Sequence, residues 1–144
     1  MRLGLSSFRP NRKKGTVGVM SGLESVGMTA AEFRLAREYL GVTGEWLAAR
    51  LGVAARTVRR WEQGSAVVPV GAAVEVGALL VEQDAFVSAL AGVSGWVVTF
   101  ASDEDVERAH PGVGWSAGWH RAAVGRLVRL RPGVRVRFAG SGDG

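Results

Sequence analysis

The sequence contains no cysteine. That excludes a disulfide framework and any metal site built on thiolates. Histidine is nearly as scarce, with only His110 and His120. Asp103, Asp105 and Glu107 stand near them in the chain, yet no spacing matches HExxH or another metal-binding pattern. The stretch GVGWSAG at 112–118 is not the GxGxxG of a dinucleotide site. No phosphate-loop lysine pattern occurs, and no serine sits in a nucleophile elbow. Nothing here argues for an enzyme, and no metal, cofactor or small-molecule ligand is expected. Long apolar runs are missing too. Glu75, Glu82 and Asp84 interrupt the longest candidate, so no membrane span is expected. The basic N-terminus is followed by no apolar segment of the signal-peptide kind. A cytoplasmic location is the resulting expectation.

Lysine is rare, two residues against sixteen arginines, as GC-rich coding tends to produce. The net charge of +5 is unevenly spread. Residues 1–27, 28–69, 70–111 and 112–144 carry +4, +2, −6 and +5 respectively. Such asymmetry points to a polyanionic partner at particular surfaces, with the acidic middle turned elsewhere. An apolar fraction of 47% and five tryptophans in 144 residues support a packed core rather than disorder.

Residues 1–27 have no sustained period and many Gly and Ser, and are expected to form a flexible basic arm. At Met28 the pattern changes. Thr29 is a good helix N-cap, and Glu32 three residues on completes a capping box. Phe33, Ala36, Arg37 and Leu40 keep helical spacing. A second helix opens at Thr43 and is stopped by Gly52; a third covers about 54–63 and is stopped by Gly64. Pro69 suits the start of a long helix from about Val70 to Leu90, with Val76, Leu79, Leu80, Val87 and Leu90 on its apolar face. Beyond Gly92 the period changes again. GWVVTF at 95–100 and VRVRF at 134–138 read as short strands, the second alternating as a half-buried strand should. A helix is expected within 102–110 and another within 116–132. The organisation expected is an arm (1–27), a helical domain (28–92), a small α/β part (93–138) and a flexible tail (139–144).

The informative stretch is LGVAARTVRRWEQGSAVVP, residues 51–69. Two short helices joined by a tight turn, the second rich in arginine, form the helix-turn-helix arrangement, whose second helix enters the DNA major groove. Arg56, Arg59, Arg60 and Gln63 fall at i, i+3, i+4 and i+7 and so share one face. Val53, Val58 and Trp61 lie opposite, as an inward anchor requires. Arginine can donate two hydrogen bonds to a guanine edge. Thr57 suits a phosphate or a thymine methyl, and Ala55 lies at the same end of the helix. The bland alternative is a solvated basic helix face.

LGVTGEWLAARLGVAARTVRRWEQGSAVVP resembles the helix-turn-helix of the Xre family, the phage Cro/CI repressor type. Leu47, Ala48, Leu51, Gly52 and Val53 match its turn, and Trp61, Glu62 and Gly64 its close. A weaker similarity from Met28 onward is to anti-CRISPR-associated autorepressors. In that group the C-terminal α/β part pairs two subunits, and the dimer represses its own operon at inverted repeats. The resemblance implies a mainly α protein with a five-helix-type DNA-binding domain. It also implies a phage or prophage repressor that binds double-stranded DNA as a homodimer, in the cytoplasm of a bacterial host and on its nucleoid. Trp115, Trp119 and Leu127 are the expected dimer residues. Two departures stand out. Many Xre proteins place a phosphate-binding glutamine where this chain has Gly44, and the usual polar cap of the recognition helix is replaced by Ala54. The Thr43 hydroxyl and nearby amides are expected to contact phosphate instead.

Other features admit blander accounts. Trp46, Trp61, Trp115 and Trp119 keep helical spacing and read as core or subunit interface rather than base-stacking platforms. Arg121, Arg126, Arg129 and Arg131 read as a solvated face rather than a second DNA-facing strip. Arg9, Arg12, Lys13 and Lys14 suit either a tail that adds nonspecific attraction or an arm that follows a minor groove. A rival function is a protein-interaction module, an antitoxin or host-factor binder, working through the C-terminal part. RNA binding by the same basic helix is a third.

Overall fold

The computed structural model describes residues 27–141. The order of elements is α1 (Ala30–Leu40), α2 (Gly44–Leu51), α3 (Ala55–Gln63), α4 (Val70–Leu90), β1 (Trp96–Thr99), α5 (Asp103–Ala109), α6 (Ala117–Leu130) and β2 (Arg135–Phe138). Four helices precede β1 among the described residues, and α4, the last of them, runs 21 residues without a break.

Local chemistry explains most of the boundaries. Thr29 and Glu32 form the capping box: the Glu32 amide donates to Thr29 Oγ1 and the Thr29 amide to Glu32 Oε1, each at 3.0 Å. Thr43 caps α2 by accepting from the Trp46 amide at 3.0 Å. Gly52 ends α2 at φ 75°, a left-handed conformation that a side chain would oppose. The Val53 amide reaches back to the Ala48 carbonyl at 2.9 Å, which closes the turn into α3. Ser102 and Ser116 cap α5 and α6, accepting from the amides of Asp105 and Trp119. A hydrogen bond from Ser102, with Arg108 adding to it, holds the Asp105 carboxyl below its ordinary range.

The described chain forms two compact units that divide within α4, between Leu80 and Val81. The helical unit holds residues up to Tyr39 together with Thr43–Leu80. Its core is Phe33, Leu47, Ala48, Leu51, Val58, Trp61, Val68, Val76 and Leu79, all buried. Burying each of the larger of these side chains contributes roughly 1.5–3 kcal/mol.

The second unit takes Leu40–Val42 and everything from Val81 onward. β1 and β2 pair in parallel, with Trp96 opposite Arg135 and Thr99 opposite Phe138, and α5 and α6 make the crossover. Val97 packs with Val124, Leu127 and Val134; Phe100 packs with Val106 and Ala117. The expected alternation of 134–138 fades along the strand: Val134 is buried and Val136 half-buried, but Phe138 at the strand end is exposed.

The middle of this unit is polar. Gln83 has no exposed surface, and its Nε2 donates to the carbonyls of Leu40 (3.0 Å) and Trp119 (3.1 Å). Arg126 donates to Gln83 Oε1 and to Asp84 Oδ1. The buried amide is thereby satisfied at both ends, as burial demands. Beside it the backbone of Gly41 touches that of Gly118. A Cβ on Gly41 would lie 2.5 Å from the Gly118 carbonyl oxygen and 2.7 Å from Ala122 Cβ.

Candidate nucleic-acid interface

α3 is nine residues long, and its two faces differ completely. Val58 and Trp61 are buried, at 1% and 6% exposure. Trp61 meets Phe33 of α1 edge-on, with ring centroids 5.5 Å apart at 80°. Such an edge-to-face pair adds about 0.5–1.5 kcal/mol to the burial itself. Val53, half-buried in the turn, lies with them on the inward side.

Arg56, Arg59, Arg60 and Gln63 are all exposed, and Ala55 and Thr57 are half-buried. No carboxylate among the described residues pairs with the three arginines. The single acid of α3, Glu62, is turned away from them and held by Arg37 of α1. Arg37 Nε donates to Oε2 at 2.6 Å and Nη2 to Oε1 at 3.0 Å. The hydrogen bond to Glu62 raises the Arg37 pKa further above its already high ordinary value. The exposed side of α3 is therefore uniformly positive, and the helix is fixed from behind by one aromatic pair and one charged fork. Sequence reasoning missed that fork. The partners lie 25 positions apart, and nothing local to either announces the other.

The N-terminus of α3 has no side-chain cap, since Ala54 stands there in extended conformation. Thr43 is exposed, and its Oγ1 is occupied as an acceptor for Trp46. The hydroxyl hydrogen is left to donate, which is the chemistry a phosphate oxygen requires. Gly44 has room: a Cβ there would make an ordinary 3.8 Å contact with Val58 Cγ1. Trp46 is half-buried, with the Arg50 guanidinium 4.7 Å above its ring, so it is not an open stacking platform.

The residues expected at a dimer interface are placed differently. Leu127 has no exposed surface and Trp119 only 2%. Trp115 is half-buried, stacked on Trp119 and His120 at centroid distances of 5.6 and 4.9 Å. Trp119 and Leu127 are thus interior residues of this chain, because their helix spacing turns them onto α4 and β1 rather than outward. Arg121 donates to the carbonyls of Phe100 and Ala101, Arg126 is committed to Gln83 and Asp84, and Arg131 donates to the Ala91 carbonyl. Three of the four arginines considered for a second strip thus brace the fold. The candidate arm residues Arg9, Arg12, Lys13 and Lys14 lie outside the described residues.

His120 is buried, with Nδ1 2.8 Å from Thr99 Oγ1. Burial, aided by the charges of His110 and Arg121, pushes its pKa down to about 4. Among the described residues no three His, Asp or Glu side chains gather as a metal would need. No helix among them is long and apolar enough to cross a membrane.

No curated protein matches the chain. The family model of a helix-turn-helix domain matches residues 30–81, which span α1 to the first half of α4 and include every side chain of the positive α3 face. Over those residues the chain is similar to a helix-turn-helix domain, a kind of domain found in DNA-binding regulators.

Proposed function

We propose that this protein is a sequence-specific double-stranded DNA-binding transcriptional regulator and acts as a repressor. α3 is its reading helix. The observation that carries this reading is the uncompensated face of Arg56, Arg59, Arg60 and Gln63, opposite a Trp61 anchor and cleared of its only acid by Arg37. Guanidinium groups on that face match guanine O6 and N7 in the major groove. The Thr43 hydroxyl and the uncapped amides of α3 supply backbone contacts that set register. Thr57 and Ala55, at the start of α3, lie where they approach a base edge or a thymine methyl.

The protein works as a homodimer on an inverted repeat, with half-sites one or more helical turns apart, about 34 Å per turn. A phage or prophage origin follows from the resemblance of LGVTGEWLAARLGVAARTVRRWEQGSAVVP to Cro/CI-type repressors, and control of its own operon from the weaker similarity to anti-CRISPR-associated autorepressors. Repression needs no catalysis: occupying a promoter is enough.

Selection from a random duplex pool tests the proposal. The expected result is one enriched sequence with two-fold symmetry, also present in the DNA upstream of the gene. A pool that stays random after repeated rounds would refute sequence-specific binding. An enriched but asymmetric single site would refute the homodimer. Equal enrichment of RNA would overturn the duplex assignment.

A further inference from the structure

The two-stranded sheet has one face packed and one open. Along β1, Val97 and Thr99 are buried while Trp96 and Val98 are 38% and 40% exposed. The parallel register sets Trp96 opposite Arg135 and Val98 opposite Arg137, so these four share the outer face. Both guanidinium groups lie over the Trp96 ring, at 4.7 and 5.4 Å from its centroid. Neither arginine meets a carboxylate among the described residues. Residues 112–141 carry six arginines and no acid, and Arg135 and Arg137 are two of the three not committed to bracing the fold.

Chemistry narrows the occupant. An indole stacked under a guanidinium holds it flat and restricts its rotamers, yet leaves its N–H edges free for an oxyanion. Arg135 and Arg137 are two residues apart on one strand, about 6.6 Å, so they present two such edges in a row. A base stacking on Trp96 would have to compete with the two guanidinium groups that already lie over its ring. Base stacking, the main affinity device of single-strand binders, is therefore disfavoured here. What remains is a charged, sequence-blind pair of donors suited to a rigid row of phosphates.

We propose that the outer face of this sheet, through Arg135 and Arg137 seated on Trp96, binds the phosphate backbone of double-stranded DNA. It adds sequence-independent affinity to the reading done by α3. The inference builds on the DNA-binding proposal above, but its test does not depend on an operator.

The experiment is fluorescence anisotropy of the full chain on a duplex of arbitrary sequence, titrated with salt. It compares wild type, the double variant Arg135→Gln/Arg137→Gln and the double variant Arg135→Lys/Arg137→Lys. Each neutralised phosphate contributes about 0.9 to the slope of log K against log salt. The glutamine variant should lower the slope by about 1.8 and weaken any two duplexes by the same factor. The lysine variant should keep the wild-type slope. Both arginines are exposed, so an unchanged melting temperature accompanies the expected result. A slope unchanged in the glutamine variant overturns the proposal. So does a loss confined to a single-stranded oligonucleotide. If α3 did not read sequence, no duplex would be preferred, yet the slope change would still be seen.

Discussion

Arg37 and Glu62 face each other across the back of α3, joined at 2.6 and 3.0 Å by a two-pronged, largely buried ion pair. The pair does two jobs. It ties α3 to α1, and it takes the only negative charge on α3 out of the field that a phosphate backbone would meet. Hydrogen bonds to charged groups contribute about 1.5–3 kcal/mol. Arg37→Met should therefore lower stability by roughly that amount in urea denaturation. It should also weaken DNA binding beyond what the loss of folded protein explains, since Glu62 is left uncompensated. Glu62→Gln should cost stability but spare binding. Equal binding losses in the two variants would show a merely structural role.

Gly41 sits at φ 79° with the Gly118 carbonyl and Ala122 against it. Gly41→Ala combines a left-handed conformation, costing about 1–2 kcal/mol, with overpacking of about 1–3 kcal/mol. A loss of at least 2 kcal/mol, about the sum of the lower ends, is expected from urea denaturation. By contrast Gly77→Ala, where a Cβ meets nothing within 4 Å, should be neutral or stabilising. Comparable midpoints for the two variants would contradict the close approach at Gly41.

His120 makes stability depend on pH. Its pKa falls from 6.5 to about 4 in the folded state, chiefly through burial. Between those values the unfolded chain takes up a proton that the folded chain refuses. Stability is therefore complete above pH 6.5, declines as pH falls, and the loss from this group is complete below about 4. The slope reaches at most about 1.4 kcal/mol per pH unit. Urea midpoints at pH 7, 6 and 5 should fall for wild type and stay flatter for His120→Asn. Parallel curves would show that His120 is not the titrating group.

Gly44 stands where, by the resemblance, many Xre-type proteins carry a phosphate-binding glutamine, and its surroundings leave space for a side chain. Gly44→Gln should tighten DNA binding several-fold without preference among sequences, because phosphate contacts position rather than specify. It should also raise stability by up to about 1 kcal/mol through helix propensity. Anisotropy on two unrelated duplexes separates this outcome from a gain on one alone.

Much of the helical unit was legible from residue chemistry. Thr29 with Glu32, Thr43, Gly52 and Gly64 mark their helix ends as capping rules require, and the spacing of Arg56, Arg59, Arg60 and Gln63 is enough to put them on one face. What stayed hidden depends on partners far apart in the chain. A lone Gln83 in an apolar helix says nothing of the Leu40 and Trp119 carbonyls it joins. The same holds for Arg121 and Arg131, which look like solvated charges until their backbone acceptors are seen. Trp119 and Leu127 carry the apolar signature that either a core or an interface would show, and only packing assigns them to the core. The Trp96, Arg135 and Arg137 cluster exists only in the parallel register of strands nearly forty residues apart.

The most direct test of α3 as a reading helix is a paired affinity measurement on a selected operator and a scrambled duplex, for wild type and Arg56→Ala at fixed salt. A lost base contact costs about 1–3 kcal/mol, so operator affinity should fall about tenfold to a hundredfold while scrambled binding changes little. The ratio between the two duplexes would then collapse. An Arg56→Ala protein that keeps the wild-type ratio, or loses affinity equally on both duplexes, would contradict α3 as the reader of sequence.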